Sequence, residues 1–210
     1  MTIARELGLP LFPVQHHYAH ILSCMAENDH DKPVIGVSFD GTGYGTDGTI
    51  WGGEILQADF TSFTRLGHIR PFLQTGGDKA SVEGWRIAVS MLYGLYNDQA
   101  KVLEITQQLA LCPEKDLAAQ FFMADNHVNT IKSTSAGRLY DAVSAILGIR
   151  KASTFEGEAS MYLEFAAERY LAAQSIDPST INLDQSAPNL RRLDLSKSDM
   201  STADASIILS

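Results

Sequence analysis

The sequence predicts an α/β protein in which a three-stranded antiparallel meander comes first and several helices follow. Three observations carry that prediction. Residues 34–39 (VIGVSF) form a short apolar run of strand length. Asp47-Gly48 is a hairpin dipeptide that leads from that run into a return strand over residues 49–58. From Lys79 onward the apolar residues recur at helical rather than alternating spacing. The chain has 210 residues, enough for one large domain or two small ones, and 45% of them are hydrophobic, as a real core requires.

In order along the chain, residues 2–8 read as the end of a helix stopped by Gly8, so natural sequence is expected upstream. Residues 9–14 are a short extended piece between Pro10 and Pro13. Residues 15–27 form a helix, with Ile21, Leu22, Met25 and Ala26 at apolar spacing and no internal Gly or Pro. After a polar loop, the strand over 34–39 ends at a glycine-rich turn, 41–45. The third strand of the meander is residues 61–69, with Phe63, Leu66 and Ile69. Helices are expected over 82–96, 101–111, 114–123, 138–147 (closed by Gly148) and 159–173. From Gln174 on, Ser, Asp, Asn and Pro dominate. The predicted organisation is therefore one domain over 1–173 and a polar, weakly ordered segment over 174–210. No internal repeat is visible.

The net charge of −9 argues against nonspecific nucleic-acid binding, which needs basic surface to replace phosphate counterions. The two cysteines are too few for a disulfide framework or a four-thiolate zinc site and point to a reducing compartment. No stretch approaches the roughly 20 apolar residues of a membrane span, and the N-terminus lacks the regions of a signal peptide. The expectation is a cytoplasmic protein.

Two features carry chemistry. His16 and His20, four apart on a helix, have Cβ atoms about 5–6 Å apart on one face, and a divalent cation with bonds near ~2.1 Å can bridge two such imidazoles. Two surface histidines on an amphipathic helix leave the same pattern. His17 points elsewhere on the helix, either to substrate or to solvent. Cys24 shares the stripe of His20 and reads as a third ligand or a small buried residue. The second feature is Asp40 followed by Gly41-Thr42-Gly43-Tyr44-Gly45. A carboxylate at a strand end can ligate a metal or orient a water, which makes Asp40 both a metal and a catalytic candidate. Successive glycines let backbone N–H groups approach phosphate oxygens. The glycine pattern by itself matches neither a P-loop nor a dinucleotide fingerprint, and a flexible hairpin turn with a capping Asp would also produce it. Asp141, early in an apolar helix, reads as a ribose ligand or as a favourable helix N-terminal charge. Gly157 and Glu158 carry the same ambiguity. Trp85 and Arg86 read either as a substrate-side anchor or, respectively, as core and a surface ion-pair partner. His30, His68 and His127 are isolated and receive no role.

Five ordered blocks carry a resemblance. They are Pro13-Val14-Gln15-His16-His17-Tyr18-Ala19-His20; Asp40-Gly41-Thr42-Gly43-Tyr44-Gly45 through Trp51-Gly52-Gly53-Glu54; Gly76-Gly77-Asp78-Lys79-Ala80 through Trp85-Arg86; Gly137-Arg138-Leu139-Tyr140-Asp141-Ala142-Val143; and Phe155-Glu156-Gly157-Glu158-Ala159. Together they resemble the HypF-type carbamoyltransferases of hydrogenase maturation over about residues 2–170. The resemblance implies an incomplete actin-like ATPase (ASKHA, RNase-H-like) lobe of the Kae1-like kind, to which the meander pattern is also similar. It implies that His16, His20 and Asp40 hold a divalent metal, iron or zinc, against nucleotide phosphates. It further implies that Gly41, Thr42 and Gly43 contact those phosphates and that Asp141 and Gly157 contact the nucleoside. The substrates it implies are ATP and a carbamoyl-adenylate derived from carbamoyl phosphate. The partner it implies is a HypE-like protein whose C-terminal cysteine receives the carbamoyl group.

The chain departs from that family's pattern. The acylphosphatase-like, zinc-binding and adenylate-forming domains are absent, as is the early strand block of the first lobe. The Gly-Gly-Val-x-x-Asn block and a late aspartate that would complete the metal site are missing too, and Gly84 stands where relatives usually carry proline. The expectation is a fragment that binds metal weakly and transfers little alone; measurable transfer by the isolated chain would overturn it. Two other readings stand beside it. One is transfer to a small-molecule hydroxyl or to tRNA. The other is an inert metal- or nucleotide-binding module.

Overall fold

The computed structural model describes residues 2–177, 179 and 206–209. The first helix, α1 (Thr2–Glu6), ends before Gly8, whose φ of +61° is the left-handed stop expected there. An extended segment leads to α2 (His16–Glu27), where the Gln15 side chain caps the N-terminus by accepting from Tyr18 N–H at 2.8 Å. The helix buries His17, Tyr18, Ile21 and Met25. The apolar members of that stripe pack with Val34, Trp51, Leu56 and Ala58 of the sheet into one of two core clusters. Gly36 makes the fit possible, because a Cβ there would lie 2.3 Å from Ile21 Cδ1.

The sheet comprises β1 (Val34–Tyr44), β2 (Ile50–Ala58), β3 (Phe63–His68), β4 (Phe72–Thr75), β5 (Thr130–Ser133) and β6 (Ser206–Leu209). Its spatial order is β4-β5-β2-β1-β6, and β3 also pairs with β2. Strands β1, β2 and β3 are the antiparallel meander the sequence predicts, with Val34 opposite Ala58 and Phe63 opposite Ala58 on the other side. The glycine-rich stretch is not the turn expected. Residues 41–44 continue β1, with the register shifting between Phe39 and Gly43, a bulge that re-aims the strand at this point. The turn itself spans 45–49 and is longer than the two-residue hairpin read from Asp47-Gly48. Asp47 Oδ1 organises it by accepting from Thr49 N–H, the Thr49 hydroxyl and Trp51 Nε1–H. Gly48 supplies the positive φ, +76°.

Glu54, at the middle of β2, is fully buried. Its Oε1 accepts from Gly52 N–H, Gly53 N–H and the Thr134 hydroxyl. Its Oε2 accepts from Arg65 Nε at 2.7 Å. The same guanidinium reaches Asp47 Oδ2 at 3.1 Å and lies 4.0 Å from the Trp51 ring centroid. A buried charge is tolerated only when its lone pairs are filled in this way.

Five helices follow: α3 (Gly84–Tyr96), α4 (Gln99–Gln108), α5 (Glu114–Asp125), α6 (Ala136–Ile146) and α7 (Glu158–Ala173). They match the five expected helices to within a few residues. The caps account for two of the differences. Asp98 accepts from Ala100 and Lys101 N–H and starts α4 early. Ser135 accepts from Arg138 N–H and starts α6 early. The second core cluster, with Trp85, Ile87, Val89, Leu117 and Phe121, lies among these helices. Of the segment 174–210 read as weakly ordered, only residues 174–177, 179 and 206–209 are among those described. Residues 206–209 form β6, parallel to β1 from Ser206 opposite Val34 to Leu209 opposite Val37. No helix among the described residues is long and apolar enough to cross a membrane.

Candidate functional site

Helix α2 and strand β1 bring His16, His20 and Asp40 together. His16 Nε2 lies 3.0 Å from Asp40 Oδ2 and 3.2 Å from His20 Nε2. One donor atom from each of the three fits within 4.8 Å of the others. Two bonds near ~2.1 Å meeting at roughly 90–110° put their donor atoms about 3.0–3.4 Å apart, so the separations on either side of His16 suit a first-row divalent ion as well as they suit direct hydrogen bonds. Both histidines are exposed and Asp40 is half-buried, so the open side of the cluster faces solvent. Cys24, the other residue on that stripe, is not part of the cluster.

His17 is neither a solvent-facing residue nor a cavity wall. It is fully buried, with Nδ1 3.1 Å from Gln15 Nε2 and its ring centroid 6.1 Å from that of Trp51. Its Nε2 lies 3.8 Å from Asp40 Oδ2 and has no hydrogen-bond partner. Burial holds its pKa below the usual value, against the pull of Asp40 and Glu54. Gly43 sits directly against this pair of rings. A Cβ there would come 2.3 Å from His17 Cε1 and 2.8 Å from His16 Cδ2. Gly43 is thus a packing contact for the imidazoles rather than a cavity wall.

Asp40 also borders a cavity of about 380 Å³. Gly41, Thr42, Asp141 and Gly157, four of the five residues expected around a nucleotide, line it. Ser135 joins its two sides: the hydroxyl donates to Gly41 O at 2.7 Å while Asp40 O lies 3.2 Å away, and the same oxygen caps α6. Asp141 is buried beside Arg138, whose Nε is 2.9 Å from Asp141 Oδ2. Burial pushes the Asp141 pKa up, with Arg138 opposing. Thr42 directs its hydroxyl to Gly41 O. Trp85 is core and Arg86 pairs with Glu83, both outside the cavity rather than forming a substrate-side anchor there.

The sequence assigned no role to Ser81, Val82, Arg138, Ser153, Thr154, Phe155 or Glu156, which complete the walls. Each comes from a loop or helix start whose local pattern is ordinary. The burial of His17, by contrast, had a signal: His17, Ile21 and Met25 recur every four residues, which is one helix face.

Glu158, the first residue of α7, follows the cavity-lining Gly157. It accepts from Thr154 N–H and the Thr154 hydroxyl and pairs with Arg150 at 2.9 Å. The Thr154 N–H leads in holding its pKa below the ordinary glutamate value of 4.5, with burial opposing. A lowered carboxylate stabilises the fold at any pH above 4.5, and that stabilisation is lost as pH falls through the lower folded value. Acid titration followed by circular dichroism is expected to show a shallower loss of stability below pH 4.5 for Glu158→Gln than for the unaltered chain.

The comparisons with known proteins agree with one another. Residues 36–204 match the family described as carbamoyltransferase, Kae1-like domain, second subdomain, and residues 1–27 match the HypF Kae1-like domain. The chain is 42% identical over 169 residues to the carbamoyltransferase HypF of Rhodobacter capsulatus, covering 78% of this chain and 22% of that protein. It is 39% identical over 178 residues to a carbamoyltransferase HypF homolog of Cupriavidus necator, covering 82% of this chain and 43% of that protein. The crystal structure of full-length HypF in a phosphate- and nucleotide-bound form is similar with a TM-score of 0.70 at 39% identity, over 78% of this chain and 21% of the other. The T. kodakarensis HypF structure is similar with a TM-score of 0.70 at 36% identity, over 78% of this chain and 22% of the other. The chain therefore spans about a fifth of the length of most of these relatives.

Proposed function

We propose, from the premise that this chain belongs to the HypF carbamoyltransferase family, that it supplies the cation- and nucleotide-holding part of a carbamoyltransferase site. In this reading the carbamoyl group arrives as carbamoyl-adenylate and leaves on the C-terminal cysteine of a HypE-like acceptor, on the way to the cyanide ligand of a nickel–iron hydrogenase. One observation carries it: His16, His20 and Asp40 converge beside the cavity that Gly41, Thr42, Asp141 and Gly157 line.

The donor set fits a resident divalent ion. It consists of two imidazoles and a carboxylate at the separations such an ion spans, with an open face and Gly43 cut back to admit the rings. Iron and zinc both suit these ligands. Such an ion, when bound, supplies positive charge next to a phosphate ester and so favours its departure. The rest falls to the protein. Gly41 and Thr42 present strand backbone at the cavity wall without bulky side chains. Arg138 is the cationic side chain lining the cavity and suits an anionic ligand. Asp141 offers an acceptor for a ribose hydroxyl, and the half-exposed Phe155 and Val82 offer apolar surface to a base. The attacking thiolate belongs to the acceptor protein. As the thiolate bonds to the carbamoyl carbon, the carbon–oxygen bond to phosphate breaks and AMP leaves. Holding the two partners in line is therefore the main demand on this chain.

The test is titration of the full chain with Co2+, read by visible absorbance, with and without AMP. The unaltered chain is expected to bind one equivalent, and Asp40→Asn to lower the affinity by about tenfold or more, since the substitution trades an anionic ligand for a neutral amide. Equal binding by both proteins would remove the cation from the reading.

A further inference from the structure

His17 is the one buried side chain at this site whose chemistry the reading above leaves unused. Its protonation pattern can be worked out from its neighbours. Gln15 caps α2, so its Oε1 must face Tyr18 N–H, from which it accepts at 2.8 Å. Its Nε2 must then face the other way, where it donates to Tyr44 O at 3.0 Å. A donor partner and an acceptor partner together settle the orientation of the amide. The second Nε2 hydrogen points at His17 Nδ1, 3.1 Å away. An amide NH2 cannot accept a hydrogen bond, so Nδ1 carries no hydrogen and the ring's single N–H is on Nε2.

That N–H is a fully buried donor with no hydrogen-bond partner. Leaving such a donor unsatisfied is costly, and native proteins keep few of them. Asp40 Oδ2 lies 3.8 Å away, the same oxygen that stands 3.0 Å from His16 Nε2. His17 cannot drift from this position. Trp51 flanks its ring, Gly43 leaves no slack against it, and Gln15 holds the opposite nitrogen.

We propose that His17 is a positioning residue for Asp40: its Nε2–H, assigned to that nitrogen by the N-cap glutamine, orients the Asp40 carboxylate toward the cation that His16 and His20 share. The inference rests on the cation reading above and deepens it. His17 itself is no ligand. It acts through Asp40, as an outer partner of a metal site acts through the ligand it touches. The N-cap of α2 thereby has a second task, since the same amide that starts the helix also selects the tautomer.

The test uses the full 210-residue chain and Co2+ titration by visible absorbance, with the thermal midpoint of each metal-free protein measured alongside. His17→Phe keeps a ring and removes the donor. His17→Gln places an amide N–H near the position of Nε2, and His17→Asn places one near Nδ1 instead. His17→Phe and His17→Asn are expected to bind Co2+ about ten- to a hundred-fold more weakly, and His17→Gln within about threefold of the unaltered chain. If His17→Phe fails to fold, the comparison of Gln with Asn decides the matter. The inference is overturned if His17→Phe binds as tightly as the unaltered chain. It is also overturned if all three variants weaken together in step with their thermal midpoints, which is what a packing role alone produces. If the unaltered chain gives no Co2+ spectrum, or Asp40→Asn binds equally, the cation reading fails first and takes the inference with it.

Discussion

Glu54→Ala is expected to lower the unfolding free energy by about 3–5 kcal/mol, read as a shift of the urea midpoint at unchanged slope. The size follows from what the carboxylate leaves behind. Glu54 has no solvent exposure, and it is the partner of two backbone N–H groups, the Thr134 hydroxyl and Arg65 Nε. Removing it strands a guanidinium whose side chain is 20% exposed, together with donors that no water reaches easily. Asp47 still pairs with Arg65 from the turn, but through a carboxylate that is itself 44% exposed, so it compensates only in part. The second half of the test is the double variant Glu54→Leu, Arg65→Met. Removing both charges together is expected to recover most of the loss, because an apolar pair of similar volume carries no desolvation penalty. A Glu54→Ala protein as stable as the parent would show that β2 does not depend on this network.

Gly43→Ala is expected to damage the proposed cation site more than the fold. The added carbon would stand 2.3 Å from His17 Cε1 and 2.8 Å from His16 Cδ2, well inside van der Waals contact. His17 is fully enclosed, and its ring is flanked by Trp51, so β1, which also carries Asp40, must shift away from it, and the exposed His16 yields as well. Overpacking of this kind costs about 1–3 kcal/mol. Displacement of His16 is expected to weaken Co2+ binding by about ten- to a hundred-fold, by the same reasoning that makes misplaced ligand shells costly. Gly48→Ala is the useful contrast. No atom lies within 4 Å of its added carbon, and only the positive φ of +76° is strained. It should cost some stability and leave Co2+ affinity intact. Equal Co2+ affinity in Gly43→Ala and the parent would mean that the rings have room the structure does not show.

The meander and the five later helices were legible because each is long enough to display its period, and the chain's membership of the family agrees with that reading. Strands β4 and β5, four residues each, were not. Neither shows an alternation, and they pair across a separation of more than fifty residues, which no local pattern announces. Residues 41–44 were misread because glycines are turn residues by default; here they give β1 a bulge and make room for two imidazoles. At the site, His16, His20 and Asp40 could be named because helical spacing and a strand end fix their directions. Arg138, Val82 and Phe155 could not, since tertiary packing carries them to the cavity: α6 packs on β1, α7 packs on α6, and Val82 O accepts from Ser153 N–H. His17 was misjudged by considering it beside His16 rather than along its own stripe with Ile21 and Met25.

The two halves of the site differ in how far apart they lie along the chain. His16, His20 and Asp40 fall within twenty-five residues, on a helix and the hairpin strand it packs against. The opposite wall arrives about a hundred residues later, with Arg138, Asp141, Thr154 and Gly157. Short loops close at little entropic cost and long ones at more, and local contacts form sooner than distant ones. By these rules the imidazole–carboxylate cluster is expected to form before the cavity wall opposite it. A cation at the proposed site would then find its donors assembled before the cavity wall beside them.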